Sequence, residues 1–576
     1  MRNSIVTNNQ SVTIMSNIKT SLDANTEQLT AVDAQWEMTQ KKIEGVDYRL
    51  YKSAPANMVE LINAGRAHGD KEFLIYEDER ITFDEYFRQV DALAHQLQNK
   101  YHISKDDRVA IAMRNYPEWM IAFAAVILAG GVVVPLNSWG QAAELEYALT
   151  DSGAKVAFFD QQRYDHVANQ LSSLNVAGIV AKPQGSLEQA EDFADIIKQA
   201  KDKKPAEQTI DAEDMAMIMY TSGTTGNPKG AVSCHRNVCQ TIYNFEFGGT
   251  CSAMTDLDPV MKMLERGFDS KVLLALPLFH VSGCYSVFLL SLRAGRSIVI
   301  MHKWDKIKAL KTIEEERVTM LSAVPTMLLE VLEAPEWNDY NTESMFSFGA
   351  GGAAQPPHLA DEIYAKLPDG FPGTGYGMTE SNACGFAATG AVYKYKPNSA
   401  GCIAPIVDVR IVDENGKDLP AGERGEVYLK SPTIVKGYWN KPEATSETFV
   451  DGWLLTGDVG YLDDEGFLYI TDRIKDMVIR GGENIYSVEV EGAILTHKAV
   501  EEAAAFGIPH DTLGEELAVA LVLKEGATIS IAEVQAHIGE QLAKFKIPSH
   551  VFFEQEMPKN ATQKIMKKPL KEKYAK

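Results

Sequence analysis

The chain has 576 residues, 45% hydrophobic and 23% charged, and 79 Asp+Glu against 56 Lys+Arg leave a formal net charge of −23. This is the composition of a globular protein, not of a disordered, collagenous or disulfide-scaffold chain, and about 150 residues per domain allows roughly four domains, or one large domain with smaller ones. The acidity excludes a general nucleic-acid binder and disfavours unaided adhesion to anionic membranes, while leaving anionic small ligands open.

Residues 1–45 are polar, rich in Asn, Gln, Thr and Ser, with no apolar run. They read as an extension without a core of its own rather than as a secretory signal peptide. From about Tyr51 short apolar runs alternate with helical patterns: Val109–Ala112, Val156–Phe159, Val272–Leu276 and Ser297–Ile300. Such runs, separated by helices, predict parallel sheets with helices on their faces. Trp119 to Leu136 is 18 residues without a charge, long enough to cross a membrane. Gly130-Gly131 splits it, Pro135 sits near its end, and Val132 to Val134 favours a strand. It therefore reads as a buried helix to about Ala129 followed by a buried strand.

Around 400–470 the runs Val409–Val412, Gly425–Leu429 and Gly466–Ile470 are broken by turns such as Asp413-Glu-Asn-Gly416, which predicts a small antiparallel β region. The last hundred residues read as a separate α+β unit, with a strand over Leu517–Leu523 and a capping box at Ser530 and Glu533. Ile531, Val534, Ile538 and Leu542 then mark one apolar helix face. From Lys544 to Lys576 nine Lys and three Glu give a local net charge of +6. Such a run is either a solvated tail or a surface that meets an anionic ligand. The six cysteines, Cys234, Cys239, Cys251, Cys284, Cys384 and Cys402, include no CxxC pair. A reducing, cytoplasmic setting fits them better than a disulfide or zinc-ribbon scaffold.

The strongest chemical signal is Tyr220-Thr-Ser-Gly-Thr-Thr-Gly-Asn-Pro-Lys-Gly230, directly after the apolar run Met217–Met219. Glycines let backbone N–H groups converge, hydroxyls donate, and Lys229 supplies a cation, an inventory suited to a polyphosphate. It is not a Walker A loop, because the glycine–lysine spacing fails and the following Ala231–Cys234 reads as strand.

Further motifs follow in order: Leu276-Pro-Leu-Phe-His280, Gly349-Ala-Gly-Gly-Ala353, Gly375-Tyr-Gly-Met-Thr-Glu380, Gly452-Trp-Leu-Leu-Thr-Gly-Asp458, Asp472-Arg-Ile-Lys-Asp476, Ile479-Arg-Gly-Gly-Glu-Asn-Ile485 and Lys559-Asn-Ala-Thr-Gln-Lys564. Together with the glycine-rich segment they resemble the signature motifs of the adenylate-forming superfamily: acyl-CoA synthetases, peptide-synthetase adenylation domains and luciferases. Asp476 to Tyr486 is most similar to the fatty-acyl-CoA synthetase branch.

The resemblance implies an α/β fold. A large N-terminal AMP-binding domain over 46–474 would hold parallel-type sheets flanked by helices and a small β-barrel-like region. A small mobile C-terminal α+β domain over 475–576 would carry the catalytic lysine, and 1–45 would be the extension. It implies an ATP- and Mg²⁺-dependent ligase that converts a carboxylic acid, foremost a medium- or long-chain fatty acid, to an acyl-adenylate and then to its CoA thioester. Two alternatives stay open: loading of a carrier-protein phosphopantetheine thiol, and an aryl or other cyclic acid as substrate. No nucleic acid and no membrane span are expected, only weak peripheral membrane contact; the oligomeric state is open.

By the same resemblance, Thr221, Ser222, Gly223, Thr224, Thr225 and Gly226 wrap the β- and γ-phosphates, with Lys229 in contact. Thr379 donates to the α-phosphate and Glu380 holds Mg²⁺. Gly351, Gly352 and Ala353 let the adenine lie against backbone, and Tyr376, flanked by Gly375 and Gly377, stacks on it. Asp458 accepts the ribose hydroxyls, with Arg473 on the same ribose or on phosphate. Lys564 reaches the substrate carboxylate and the α-phosphate, although Gln563 stands where the family commonly has Gly, and Lys559, Lys567 and Lys568 are close in sequence. Lys475 is the hinge. Arg480, Gly481 and Gly482 meet CoA after rotation of the small domain. His280 orients the acid or gates its channel. The reaction needs no enzyme nucleophile, so Cys284 is not read as one.

Overall fold

A computed structural model describes residues 18–221, 228–353, 355–356, 358–560 and 564–575. The apolar runs form strands because helices cover both their faces. Arg108–Ala112, Val132–Pro135, Val156–Asp160 and Ala177–Ala181 lie parallel in a seven-stranded sheet. One edge of that sheet is the antiparallel hairpin Met215–Thr221 and Lys229–Cys234. The uncharged stretch is a core helix, Pro117–Ala129, with every residue buried except Glu118, and then the strand Val132–Pro135. Gly130, at φ 87°, ends the helix in the left-handed conformation that glycine adopts without a side-chain clash. No helix among the described residues is long and apolar enough to cross a membrane. Trp119, Phe123 and Phe288 fill the adjoining core; Trp119 stacks on Phe123 at 5.4 Å, and Phe288 meets Phe123 edge-on at 5.6 Å. Each such buried aromatic contributes about 1.5–3 kcal/mol by leaving water.

A second sheet has fourteen strands among the described residues. Lys271–Leu274, Ser297–Ile300, Met320–Ala323, Ser347–Ala350 and Gly373–Tyr376 run parallel at its centre. The antiparallel strands of the 400–470 region are continuous with this sheet. Phe386–Thr389 and Gly401–Ile403 join them edge to edge to the parallel strands, so Phe467–Arg473, Trp453–Leu462, Gly425–Lys430 and Asp408–Val412 extend the same open sheet.

Residues 18–30 form a helix against the large body, with Leu22 and Trp36 buried beside Tyr243, Phe247 and Cys251. Met38–Ile43 then pairs with Val46–Tyr51. The described part of the polar extension thus packs on the body, with its boundary near 45 falling in the turn of that hairpin.

The last hundred residues build a five-stranded sheet around the long pair Val500–His510 and Gly514–Leu523. The capping box is present: Ser530 Oγ accepts from Glu533 N at 3.2 Å and Glu533 Oε2 accepts from Ser530 N at 2.8 Å. The expected apolar face is narrower than its spacing suggests. Val534 and Ile538 are buried, but Ile531 at the first turn is 46% exposed, and the helix stops at Gly539 before Leu542. Four lysines of the basic run are held in ion pairs. Lys546 pairs with Glu489, Lys559 with Glu502, Lys567 with Glu491 and Lys573 with Glu554, at 2.6–2.7 Å. All six cysteines are free thiols.

Candidate active site

A cleft of about 3170 Å³ opens where the parallel strands of the second sheet end. Ligands of open α/β sheets bind at the carboxyl ends of strands, and these strands deliver the expected motifs there. Thr221, Lys229, His280, Gly351, Gly352, Ala353, Gly375, Tyr376, Thr379, Glu380, Asp458, Arg473 and Lys564 all line it. Ser222 to Gly226, with Asn227, and also Gln563 lie outside the described residues. The glycine-rich segment is the connection of the edge hairpin, in which Thr221 faces Lys229 and its hydroxyl donates to the Lys229 carbonyl at 3.3 Å.

Asp458 is 4% exposed and tied at both oxygens. Tyr376 Oη donates to Oδ2 at 2.7 Å, and Arg473 Nε lies 3.0 Å from Oδ1. The register of Trp453–Leu462 with Phe467–Arg473 sets Asp458 opposite Arg473. Arg473 therefore pairs with Asp458, while Asp472, its neighbour in sequence, accepts from Ser487 Oγ at 2.9 Å. Burial, reinforced by the Asp458 charge, pushes the Tyr376 hydroxyl well above its ordinary value. The glycines around Tyr376 do more than expose its ring. A Cβ on Gly377 would lie 2.5 Å from the Ala383 backbone, so this glycine permits the strand to meet the following turn.

That turn carries Thr379 and Glu380. It is held by Asn382, which adopts φ 54° and is buried. Asn382 Oδ1 accepts from Tyr285 Oη at 2.7 Å and from Ser233 Oγ at 2.9 Å, and its Nδ2 donates to the Thr433 carbonyl at 2.7 Å. Glu380 is 7% exposed, and its Oε1 accepts from Tyr438 Oη at 2.7 Å. The Lys229 ammonium lies over the Tyr438 ring, 4.9 Å from its centroid. No cluster of three or more His, Cys, Asp or Glu suited to a metal occurs among the described residues. A hard cation at Glu380 must therefore complete its shell with water or ligand oxygens, as Mg²⁺ does beside phosphates.

The Lys564 amide donates to Asn560 Oδ1 at 3.0 Å, and its carbonyl accepts from Asn560 N at 2.9 Å. Burial, with the positive charge of Arg473 next, pulls its ammonium down to about 8 against the opposing pull of Asp458. The neighbouring lysines are engaged elsewhere: Lys559 and Lys567 with glutamates at 2.6 and 2.7 Å, and Lys568 with Glu572 at 3.9 Å.

Lys475 is exposed between the two units. Arg480 pairs with Glu516 at 3.7 Å, and Gly481 and Gly482 form an exposed turn at φ 59° and 88°. These three residues are not brought to the cleft in this orientation. His280 precedes a π-helical segment, Ser282–Leu289, and burial pulls its imidazole down to about 4, so it is neutral at physiological pH. Gly283 lets that segment form, since a Cβ there would lie 2.3 Å from the Pro277 carbonyl oxygen. Tyr438 and Asn382 were not legible as site residues. Their partners are 58 and 51 residues or more away in sequence, and no local spacing announces them.

Residues 62–439 match the family described as AMP-binding enzyme, and 489–564 match the AMP-binding enzyme C-terminal domain. A long-chain-fatty-acid–CoA ligase of Bacillus subtilis (strain 168) is 34% identical over 532 residues, 87% of this chain and 92% of that one. A feruloyl-CoA synthase of an Amycolatopsis species is 33% identical over 494 residues, 86% of this chain and 94% of that one. Among solved structures, the o-succinylbenzoate CoA synthetase of Bacillus subtilis in complex with its acyl-adenylate intermediate aligns with a TM-score of 0.73 at 32% identity, over 89% of this chain and 97% of that one. ATP-bound MatB from Rhodopseudomonas palustris aligns with a TM-score of 0.77 at 30% identity, over 89% and 99%. Motif order, sheet architecture and both matched segments agree: the chain belongs to the AMP-binding enzyme family.

Proposed function

We propose that the protein is an AMP-forming acid–thiol ligase that activates a medium- or long-chain fatty acid with ATP and passes the acyl group to CoA. One observation carries this reading. Lys229, Glu380, Asp458 and Lys564 come from four distant segments and line one cleft, the last from the small C-terminal unit. A site that only bound a nucleotide has no need of an ammonium delivered by a second unit.

The substrate carboxylate is the nucleophile, so the chain's own groups orient two anions and offset the charge that develops between them. Asp458 and Arg473 hold the ribose end, with Tyr376 fixing the carboxylate. Lys229 neutralises the distal phosphates. Thr379 donates a hydrogen bond to the reacting phosphate, and Lys564 places its ammonium between that phosphate and the acid. Glu380 fits Mg²⁺ by donor type and burial, and the ion supplies neutralisation of the polyphosphate when bound. Neutral His280 orients the acid at the channel mouth without adding charge. Arg480, Gly481 and Gly482 are assigned to the CoA arm after the small unit turns about Lys475. The unpaired cysteines support a cytoplasmic setting.

A long acyl chain is supported by space. Val281, Ser282 and Ser286 line the cleft beyond His280, and Gly248 and Gly249 line it from the helix His235–Thr255. A Cβ on either glycine would meet nothing within 4 Å. The similarity to feruloyl-CoA and succinylbenzoate ligases favours a ring-bearing acid as the second reading. Pyrophosphate release measured over a panel of acids, each with and without CoA, separates them. Release with fatty acids that rises with CoA is the expected result. Release confined to cyclic acids transfers the assignment to the second reading, and release indifferent to CoA points to a carrier-protein thiol.

A further inference from the structure

Tyr438 belongs to none of the motifs that led to the site, yet it touches two groups assigned to the polyphosphate and its metal ion. It sits on the segment 432–439, which lies along the strand Lys229–Cys234 leaving the glycine-rich connection. Lys436 N donates to the Val232 carbonyl at 2.8 Å, Val232 N to Gly437 at 2.9 Å, and Trp439 N to Gly230 at 2.7 Å. The same segment is tied to the Glu380 turn, where Val435 N donates to the Glu380 carbonyl at 3.0 Å. Asn237 Nδ2 anchors it from behind, on the Pro432 and Ile434 carbonyls at 2.8 Å, and Trp439 Nε1 donates to the Asp151 carbonyl at 2.9 Å. One strip of backbone therefore connects the phosphate-side strand with the turn that presents the buried carboxylate.

Tyr438 reaches both. Its hydroxyl donates to Glu380 Oε1 at 2.7 Å, and its ring lies under the Lys229 ammonium at 4.9 Å. An ammonium able to reach a carboxylate forms a strong charge-assisted hydrogen bond with it, and that bond competes with a cation for the carboxylate oxygens. The phenol keeps them apart: its face takes the ammonium, and its O–H takes one carboxylate oxygen. We propose that Tyr438 is a positioning residue that aims the Glu380 carboxylate at the divalent ion and keeps Lys229 from neutralising it. This rests on the reading of Glu380 as the Mg²⁺ carboxylate.

The test is Mn²⁺ binding, read by electron paramagnetic resonance on the full-length protein with a non-hydrolysable ATP analogue. Tyr438→Phe keeps the ring and loses the donor; Tyr438→Leu loses both; Glu380→Gln is the reference for loss of the ligand. The expected result for Tyr438→Phe is Mn²⁺ affinity weakened about tenfold, the scale of one hydrogen bond to a charged group. Its affinity for the analogue without metal and its thermal midpoint should match the parent. Tyr438→Leu should weaken Mn²⁺ binding further, because Lys229 is then free to pair with Glu380. Parent-like Mn²⁺ affinity in Tyr438→Phe and Tyr438→Leu, with loss in Glu380→Gln, overturns the role of Tyr438 alone. Unchanged Mn²⁺ affinity in Glu380→Gln overturns the reading of Glu380, and the proposal with it.

Discussion

Lys564 is a site residue whose chemistry the fold alters. Burial and Arg473 lower its proton affinity to about 8, so near neutrality it is charged but only by a modest margin. In the role proposed for Lys564, adenylation needs the ammonium, which is present below that value and lost as pH rises through it. The kcat/KM for ATP, which reports the free enzyme, should therefore fall above about pH 8. A profile flat to pH 10 would mean that another group carries the charge. Asp458 makes a different prediction, because it is buried and already spends both oxygens on Tyr376 and Arg473. Asp458→Ala should raise the ATP KM by about tenfold to a hundredfold, the scale of lost hydrogen bonds to a charged group, with the KM for the acid much less affected. An unchanged ATP KM would remove Asp458 from the ribose. At this scale, residues inside an unusual local pattern could be read from sequence: Lys229 among glycines and hydroxyls, Thr379-Glu380 after paired glycines. Tyr438 could not, since its meaning lies in a partner 58 positions away. Nor could the reason for Gly377, which is the Ala383 backbone.

The elements at the junction between the two units are held by a polar cluster. Asp472, at the end of Phe467–Arg473, accepts from Ser487 Oγ and Ser487 N at the start of the helix Ser487–Leu495. Lys567 donates to Ser487 Oγ and pairs with Glu491 at 2.7 Å, with both charged side chains about one-sixth exposed or less. Burial raises the proton affinity of Glu491 even with Lys567 present. Lys567→Met should destabilise the small unit on the order of 3 kcal/mol, because it leaves Glu491 buried without its cation. Thermal unfolding should show that deficit shrink as pH falls, since protonating Glu491 removes the lone charge. An equal deficit at all pH values would mean that lost packing, not charge, is responsible. Elements with a clear period or hard punctuation are legible in the sequence: the helix ending at Ala129, the strand Ser297–Ile300, the capping box at Ser530. Joins between elements are not. The antiparallel strands near 400–470 look self-contained, and only the bridging strands Phe386–Thr389 and Gly401–Ile403 make them part of the large sheet.

For the whole molecule, the proposed chemistry depends on how the small unit meets the large one. In this orientation Lys564 faces Asp458 and Arg473, while Arg480, Gly481 and Gly482 point elsewhere. Within a chain of net charge −23, Lys229, Arg473 and Lys564 reach one cleft that Glu380, Asp458 and further carboxylates also line. The two steps of the proposed reaction are expected to draw on different orientations, and so on different residues. Lys564→Ala, assayed separately in each half-reaction, tests this most directly. Pyrophosphate release from acid and ATP should fall by about a hundredfold or more, for removal of a charge that stabilises the transition state, with thioester formation from supplied acyl-adenylate and CoA retained. Equal loss of both half-reactions, or retention of pyrophosphate release, would contradict this expectation.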